Sequence, residues 1–387
     1  MKLRQFSPIR NAGIFLILVI FAACDKTTSH NLLITHANII DVKTGEILKD
    51  KTVAIDSMRI AAIYDGEVSI PNSAEIIDGK GKYLIPGLWD MHAHYFSIYK
   101  DIDPVLIANG ITGIREMWGD MSVINEVRKE IQTGDIIAPD IYTAGVVIDG
   151  DPPVWQGTIA VNTPEEARSE VDKQITEGVD FIKVYSKLSK ECFMAIASEA
   201  NKNHIPFAGH IPHSVSIYTA IEAGMASSEH FFGVLEGCSD KEDSILALPY
   251  DFMKYSRLLV DGFNEKKFDS LCTILANSNM WLCPTLITLR GDSYLSDTTY
   301  TNDGRLAYFP EYTTSGWFRG ENPYYEKYYL DFRKLYHFEV GLVGKMQKKE
   351  LNSLPVATSR IHLAFPVLPY MMNWLFWLKE ACRNLMP

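Results

Sequence analysis

Positive charge is scarce in this chain, where 37 Lys and Arg face 48 Asp and Glu for a formal charge of −11. Nucleic-acid backbones demand a positive field, so that class of partner is excluded. Cysteine is also sparse and scattered: Cys24, Cys192, Cys238, Cys272, Cys283 and Cys382 form no close pair of the kind a zinc knuckle or redox motif needs. The four central cysteines read as small apolar residues. No internal repeat or low-complexity tract is present. Long apolar runs are missing as well: Ile14 to Ala23 falls short of the ~20 residues a permanent membrane helix requires.

What the N-terminus does contain is Lys2, Arg4 and Arg10, then that short apolar run, then Cys24. This is the layout of a secretion signal. Phe21-Ala22-Ala23-Cys24 resembles the bacterial lipobox, so residues 1–23 are expected to be a lipoprotein signal and Cys24 the lipidated residue of an exported, membrane-anchored protein, periplasmic or on the outer surface. An ordinary cleaved signal is the other reading. Loss of Lys2, Arg4 and Arg10 would take the charge from −11 to −14, leaving acyl chains rather than basic residues to hold the membrane.

With 387 residues, 47% of them hydrophobic, the chain can bury a large core. After a tether from Asp25 to Asn31, residues up to Ile85 read as short strands broken by Gly, Asp, Asn and Pro, a small all-β unit within 24–85. From Pro86 the pattern becomes strand alternating with helix. Thr163-Pro-Glu-Glu carries a helix cap, Ser189 to Asn203 and Ile217 to Gly224 predict further helices, and Phe181-Ile-Lys-Val-Tyr185 predicts a strand. Such alternation over 86–347 predicts an α/β fold, a (β/α)8 TIM-like barrel of which strands 1–7 lie in that range.

The chemistry concentrates where those strands end. His92 and His94 close the apolar strand Tyr83 to Met91, and residues two apart on a strand share a face, so both imidazoles can meet one metal ion. Lys183, His210 and His230 end later strands, where barrel active sites are built. A lysine flanked by Phe181, Ile182 and Val184 is costly to bury without a purpose. Asp90 has the same parity as the histidine pair and is a candidate to orient one of them. Tyr185, His213 and Arg115 are candidates to hold a polar group of a substrate. His30, His36, His204, His337 and His362 fit no ligand position.

Pro86-Gly-Leu-Trp-Asp-Met-His-Ala-His94, with Gly110-Ile-Thr-Gly-Ile-Arg115 downstream, resembles the imidazolonepropionase-like and Xaa-Pro dipeptidase-like branch of the metal-dependent amidohydrolases, over Leu32 to about Lys348. The resemblance implies that the N-terminal unit over 24–85 is a small β-sandwich subdomain, and it implies two divalent metal ions, zinc by default, with His92 and His94 on one, His210 and His230 on the other, and a carboxylated Lys183 bridging them. It implies hydrolysis of a carbon–nitrogen bond in a small amide, dipeptide or cyclic amide, by a water that the two ions acidify. A non-catalytic surface lipoprotein that binds small molecules, and an inactive truncated pseudo-enzyme, are the alternatives.

One departure stands out. The family's strand-eight aspartate, a metal ligand and proton shuttle, has no counterpart here, since no aspartate follows Asp331. No catalytic acid or base is therefore identified. Residues 348–387 read as an aberrant tail, and a frameshift in the adenine-rich lysine codons near Lys348 and Lys349 would account for it. On that expectation the fold is C-terminally truncated and the product inactive or unstable.

Overall fold

The computed structural model describes residues 30–66, 74–95, 102–294, 304, 307 and 323–349. The expected signal and Cys24, and the tail from 350 to 387, lie outside these described residues. Among the described residues no helix is long and apolar enough to cross a membrane. The chain divides into two compact units at Pro86–Gly87.

The first unit is built on β1 (Leu32–Ile40), β2 (Ile47–Asp56), β3 (Arg59–Asp65), β4 (Glu75–Asp78) and β5 (Tyr83–Leu84). β1 pairs antiparallel with β2 and parallel with β4 and β5, giving one five-stranded sheet in its described part. Leu33, Thr35 and Ala37 are buried while their neighbours are only partly so, the alternation of a strand with one covered face.

The second unit alternates short strands with helices: β6 (Leu88–Ala93), α1 (Asp103–Ala108), β7 (Ile111–Glu116), α2 (Met121–Thr133), β8 (Asp140–Thr143), β9 (Ile148–Asp149), β10 (Ile159–Ala160), α3 (Pro164–Glu177), β11 (Ile182–Val184), α4 (Lys190–Lys202), β12 (Phe207–Gly209), α5 (Ile217–Glu222) and β13 (Ser227–Glu229). It continues through α6 (Val234–Gly237), α7 (Glu242–Leu246), α8 (Phe252–Asp261), α9 (Glu265–Ala276), β14 (Trp281–Cys283), α10 (Leu286–Ser293) and α11 (Pro323–Lys348). All strand pairs in this unit's sheets are parallel, in the orders β6-β7-β8 and β10-β9-β11-β12-β13-β14.

Local chemistry sets the helix ends. Thr163 and Glu166 form a reciprocal capping box at α3, Pro164 opens its first turn, and Gly178 ends it in the left-handed region. Ser189 caps α4 by accepting from the Cys192 amide. The inner faces of these helices pack on the strands, with Phe193 of α4 edge-on to Phe207 of β12 at 5.9 Å. Both rings are fully buried, and removing either would cost about 3–5 kcal/mol. This packed core holds the C-terminal ends of β6, β11, β12 and β13 in fixed register, which is what places the site.

Candidate metal centre

Four histidine rings converge at those strand ends. His230 lies with its ring centre 4.5 Å from that of His92 and 4.9 Å from that of His210, and His94 lies 5.3 Å from His92. Lys183 sits beside them in the middle of β11, 1% exposed, in register with Ala208. Its Nζ is 5.4 Å from the centre of the Tyr185 ring, which stacks on His210 at 3.8 Å. All five residues read from the sequence as metal ligands thus line one region.

Three of the rings are fixed through Nδ1 by a group from another segment. His92 Nδ1 meets Glu229 Oε2 at 2.7 Å, His210 Nδ1 meets Ser186 Oγ at 2.7 Å, and His230 Nδ1 meets Thr285 Oγ1. A carboxylate only accepts, so His92 donates from Nδ1 and keeps its lone pair on Nε2. That Nε2 is buried and has no hydrogen-bond partner. A buried acceptor nitrogen left unmet is destabilising unless a ligand meets it. Burial above all, then the charge on Lys183, holds the His92 imidazole well below its ordinary range, so the ring stays neutral as a metal donor must be. The donor set therefore fits divalent metal.

His92, Glu229 and Cys283 also bring potential ligand atoms within 4.8 Å of one another. Their hydrogen bonds point elsewhere. Glu229 Oε1 accepts from Arg115 Nη2 at 2.5 Å and from Ser227 Oγ at 2.7 Å, while Oε2 takes the His92 proton. Burial pushes the Cys283 thiol well up, away from the thiolate a metal would need. This trio is the support behind His92, on the side of the ring away from Nε2.

Backbone strain and close approach mark the same region. His230 and Thr285 hold φ of 58° and 48°, a conformation that costs a non-glycine residue on the order of 1–3 kcal/mol. Gly209 has φ +130°, and a Cβ there would come within 2.2 Å of the Val184 carbonyl oxygen and 3.1 Å of Lys183 Cγ. Only glycine lets β12 pass Lys183 this closely and still deliver His210. After His94, Glu116 pins the chain by accepting from the amides of Tyr95 at 2.5 Å and Trp118 at 3.0 Å.

One sequence assignment changes. Arg115, a candidate for a substrate carboxylate, is 6% exposed and spends its donors on Met91 O, Ser227 and Glu229, so it positions rather than binds. Asp90, a candidate to orient one of the two histidines, accepts from the His92 amide at 3.1 Å, while the carboxylate on the His92 ring is Glu229. His213 stands apart from the four rings, stacked on Tyr255 at 5.2 Å in a neighbouring pocket. Tyr185 does join the centre's wall, with its hydroxyl accepting from the Trp155 indole at 2.8 Å. Glu229, Ser186 and Thr285 were missed by sequence reasoning. The signal for Glu229 was present: Ser227-Ser-Glu229 is a wholly polar strand in an apolar setting.

Comparison with known proteins places these observations. No protein-family model matches the chain. Ochratoxinase of Aspergillus niger is 25% identical over 269 aligned positions, covering 53% of this chain and 55% of that one, so the chain spans little more than half the length of this relative. Adenine deaminase of Clostridium botulinum is 31% identical over 109 residues, 23% of this chain and 18% of the relative. Among solved structures, bottromycin amidohydrolase superposes with a TM-score of 0.64 at 19% identity, covering 90% of this chain and 73% of its own. A prolidase-like protein from Bifidobacterium longum follows at 0.61 and 20%, covering 91% and 79%. The fold is shared with bottromycin amidohydrolase and the prolidase-like protein, and the sequence relatives, ochratoxinase and adenine deaminase, are enzymes.

Proposed function

We propose that the chain is a metal-dependent hydrolase of carbon–nitrogen bonds in small amide-type substrates, with His92, His94, Lys183, His210 and His230 as its metal ligands. The observation that carries this reading is the buried Nε2 of His92, fixed from behind by Glu229 and set among three further imidazoles. Ochratoxinase and the prolidase-like neighbours support an amide-type bond as the target. Two divalent ions, zinc by default for such donors, would supply Lewis acidity toward a carbonyl and a water.

The chain's own residues do the rest. Lys183 as a carbamate presents anionic oxygen where an ammonium would repel cations. Glu229, itself neutralised by Arg115, holds His92 in the tautomer that offers Nε2. Tyr185 and Phe232, stacked on either neighbour contact of His210 at 3.8 and 4.3 Å, exclude bulk water from that ring. The mouth of a closed (β/α)8 barrel would be the setting, and lipid on Cys24 the membrane anchor of an exported protein. Loss of labelled palmitate from a Cys24→Ala variant would bear the anchor out; its retention would remove it.

A second reading rests on one fact. No aspartate follows Asp331, so the family's proton shuttle is missing from the sequence. Metal binding without turnover is its consequence. Metal analysis of the purified chain together with hydrolysis of N-acyl amino acids and Xaa-Pro dipeptides separates the two: metal with turnover supports the hydrolase, metal alone the binder, and no metal removes both.

A further inference from the structure

Beside the histidine cluster opens a pocket that the reading above leaves unused, bounded by Ile211, His213, Phe232, Tyr250, Tyr255 and Glu236. Phe232 is the shared wall, since the ring that lines this pocket also stacks on His210 at 4.3 Å. The lining is aromatic on one side and aliphatic on the other, where Val215, Leu246 and Leu259 lie. His213 lies parallel to Tyr255 at 5.2 Å and edge-on to Tyr250 at 6.0 Å, and the Tyr255 hydroxyl is anchored on the Pro249 carbonyl.

The polar end of the pocket is the Glu236 carboxyl, which takes backbone hydrogen bonds from Gly233 and Glu236. Glu236 is 9% exposed and its Oε2 has no hydrogen-bond partner. Glu339 of α11 is buried too, its carboxyl held well up by that burial first and by Glu236 second, and Glu242 adds charge of the same sign to Glu236. Among the described residues, the charges acting on this pair are carboxylates. Apolar packing alone does not explain such a group, because a buried carboxylate destabilises the fold unless it is neutralised or paired. Aromatic rings around a carboxylate are the surroundings that a cation satisfies best, through ring quadrupoles and a charged partner together.

We infer that this pocket is a subsite for a positively charged group of the substrate, a water-sized ammonium carried next to the scissile bond, held among Phe232, Tyr250 and Tyr255 and paired with Glu236. It rests on the hydrolase reading only in calling the ligand a substrate; the cation itself binds without metal. A neutral apolar substituent would leave Glu236 unmet and would be selected against.

The test is calorimetric titration of the full chain at pH 8 with n-butylammonium and with n-butanol, its neutral counterpart of the same length. The ammonium is expected to bind at least tenfold more tightly, and Glu236→Gln is expected to abolish that preference while leaving the melting curve intact or raised. Equal or better binding of the alcohol, or an unchanged preference in Glu236→Gln, overturns the inference. If that variant does not fold, the comparison of the two ligands on the unaltered chain still decides. Cation binding by a chain that takes up no metal keeps this inference and removes the hydrolase; metal uptake with no cation binding does the reverse.

Discussion

His92 Nδ1 and Glu229 Oε2 meet at 2.7 Å across 137 residues of sequence, and both side chains are fully buried. Arg115 completes the arrangement at 2.5 Å from the other carboxylate oxygen. Glu229→Ala strips a buried guanidinium of its counter-charge, so a loss of about 3–5 kcal/mol in unfolding free energy is expected. Metal affinity should fall 10–100-fold with it, as for other supports of ligating histidines. Replacing the pair together, Glu229→Gln with Arg115→Met, should recover much of the stability but not the metal affinity. Denaturant melts and metal titration of both variants check this.

Gly209→Ala is expected to destabilise by about 3 kcal/mol or more, because φ of +130° and a Val184 oxygen 2.2 Å from the new methyl act together. Equilibrium unfolding measures it, and a change under 1 kcal/mol would show that β12 and Lys183 do not approach so closely.

Glu236 supplies the pH dependence. Burial holds its carboxyl up at about 7, against an ordinary 4.5. An acid whose folded pKa is raised binds its proton more tightly folded than unfolded, so its contribution is full below about 4.5, is lost as pH rises toward 7, and is flat above. Over that window it should remove up to about 3 kcal/mol of stability. Glu236→Gln is expected to make that slope shallower, with Glu339, also raised by burial, carrying the remainder, which chemical denaturation at pH 5 and pH 8 reads directly.

The buried thiols should be inert in the folded chain. Burial pushes Cys238 up to about 12 and Cys272 up to about 11, and Cys283 is raised by burial and by Glu229. Iodoacetamide at pH 8 followed by peptide mass mapping should leave all three unmodified until denaturant is added. Rapid native labelling of Cys283 would contradict the buried network behind His92.

Much of the second unit was legible because its signals are local. Thr163 with Glu166 and Ser189 with Cys192 announce helices within four residues, and the spacing of His92 and His94 announces a shared face. His210 and His230 were legible as strand ends, and Lys183 as a strand residue that proves to sit one position inside β11. Their supports were not, because Ser186 reaches His210 across 24 residues, Thr285 reaches His230 across 55, and Glu229 reaches His92 across 137. Those pairings depend on strand register, such as Glu229 opposite Cys283, which no local pattern encodes. Arg115 was misread for the same reason: its partners Met91 and Ser227 lie on other strands.

The central claim is that these five residues hold metal. Metal analysis of the purified chain, before and after Lys183→Ala, tests it most directly. Two divalent ions per chain, falling to one or none in the variant while the fold persists, is the predicted result. A chain that takes up no ion above background, or a Lys183→Ala variant that retains both, would contradict it.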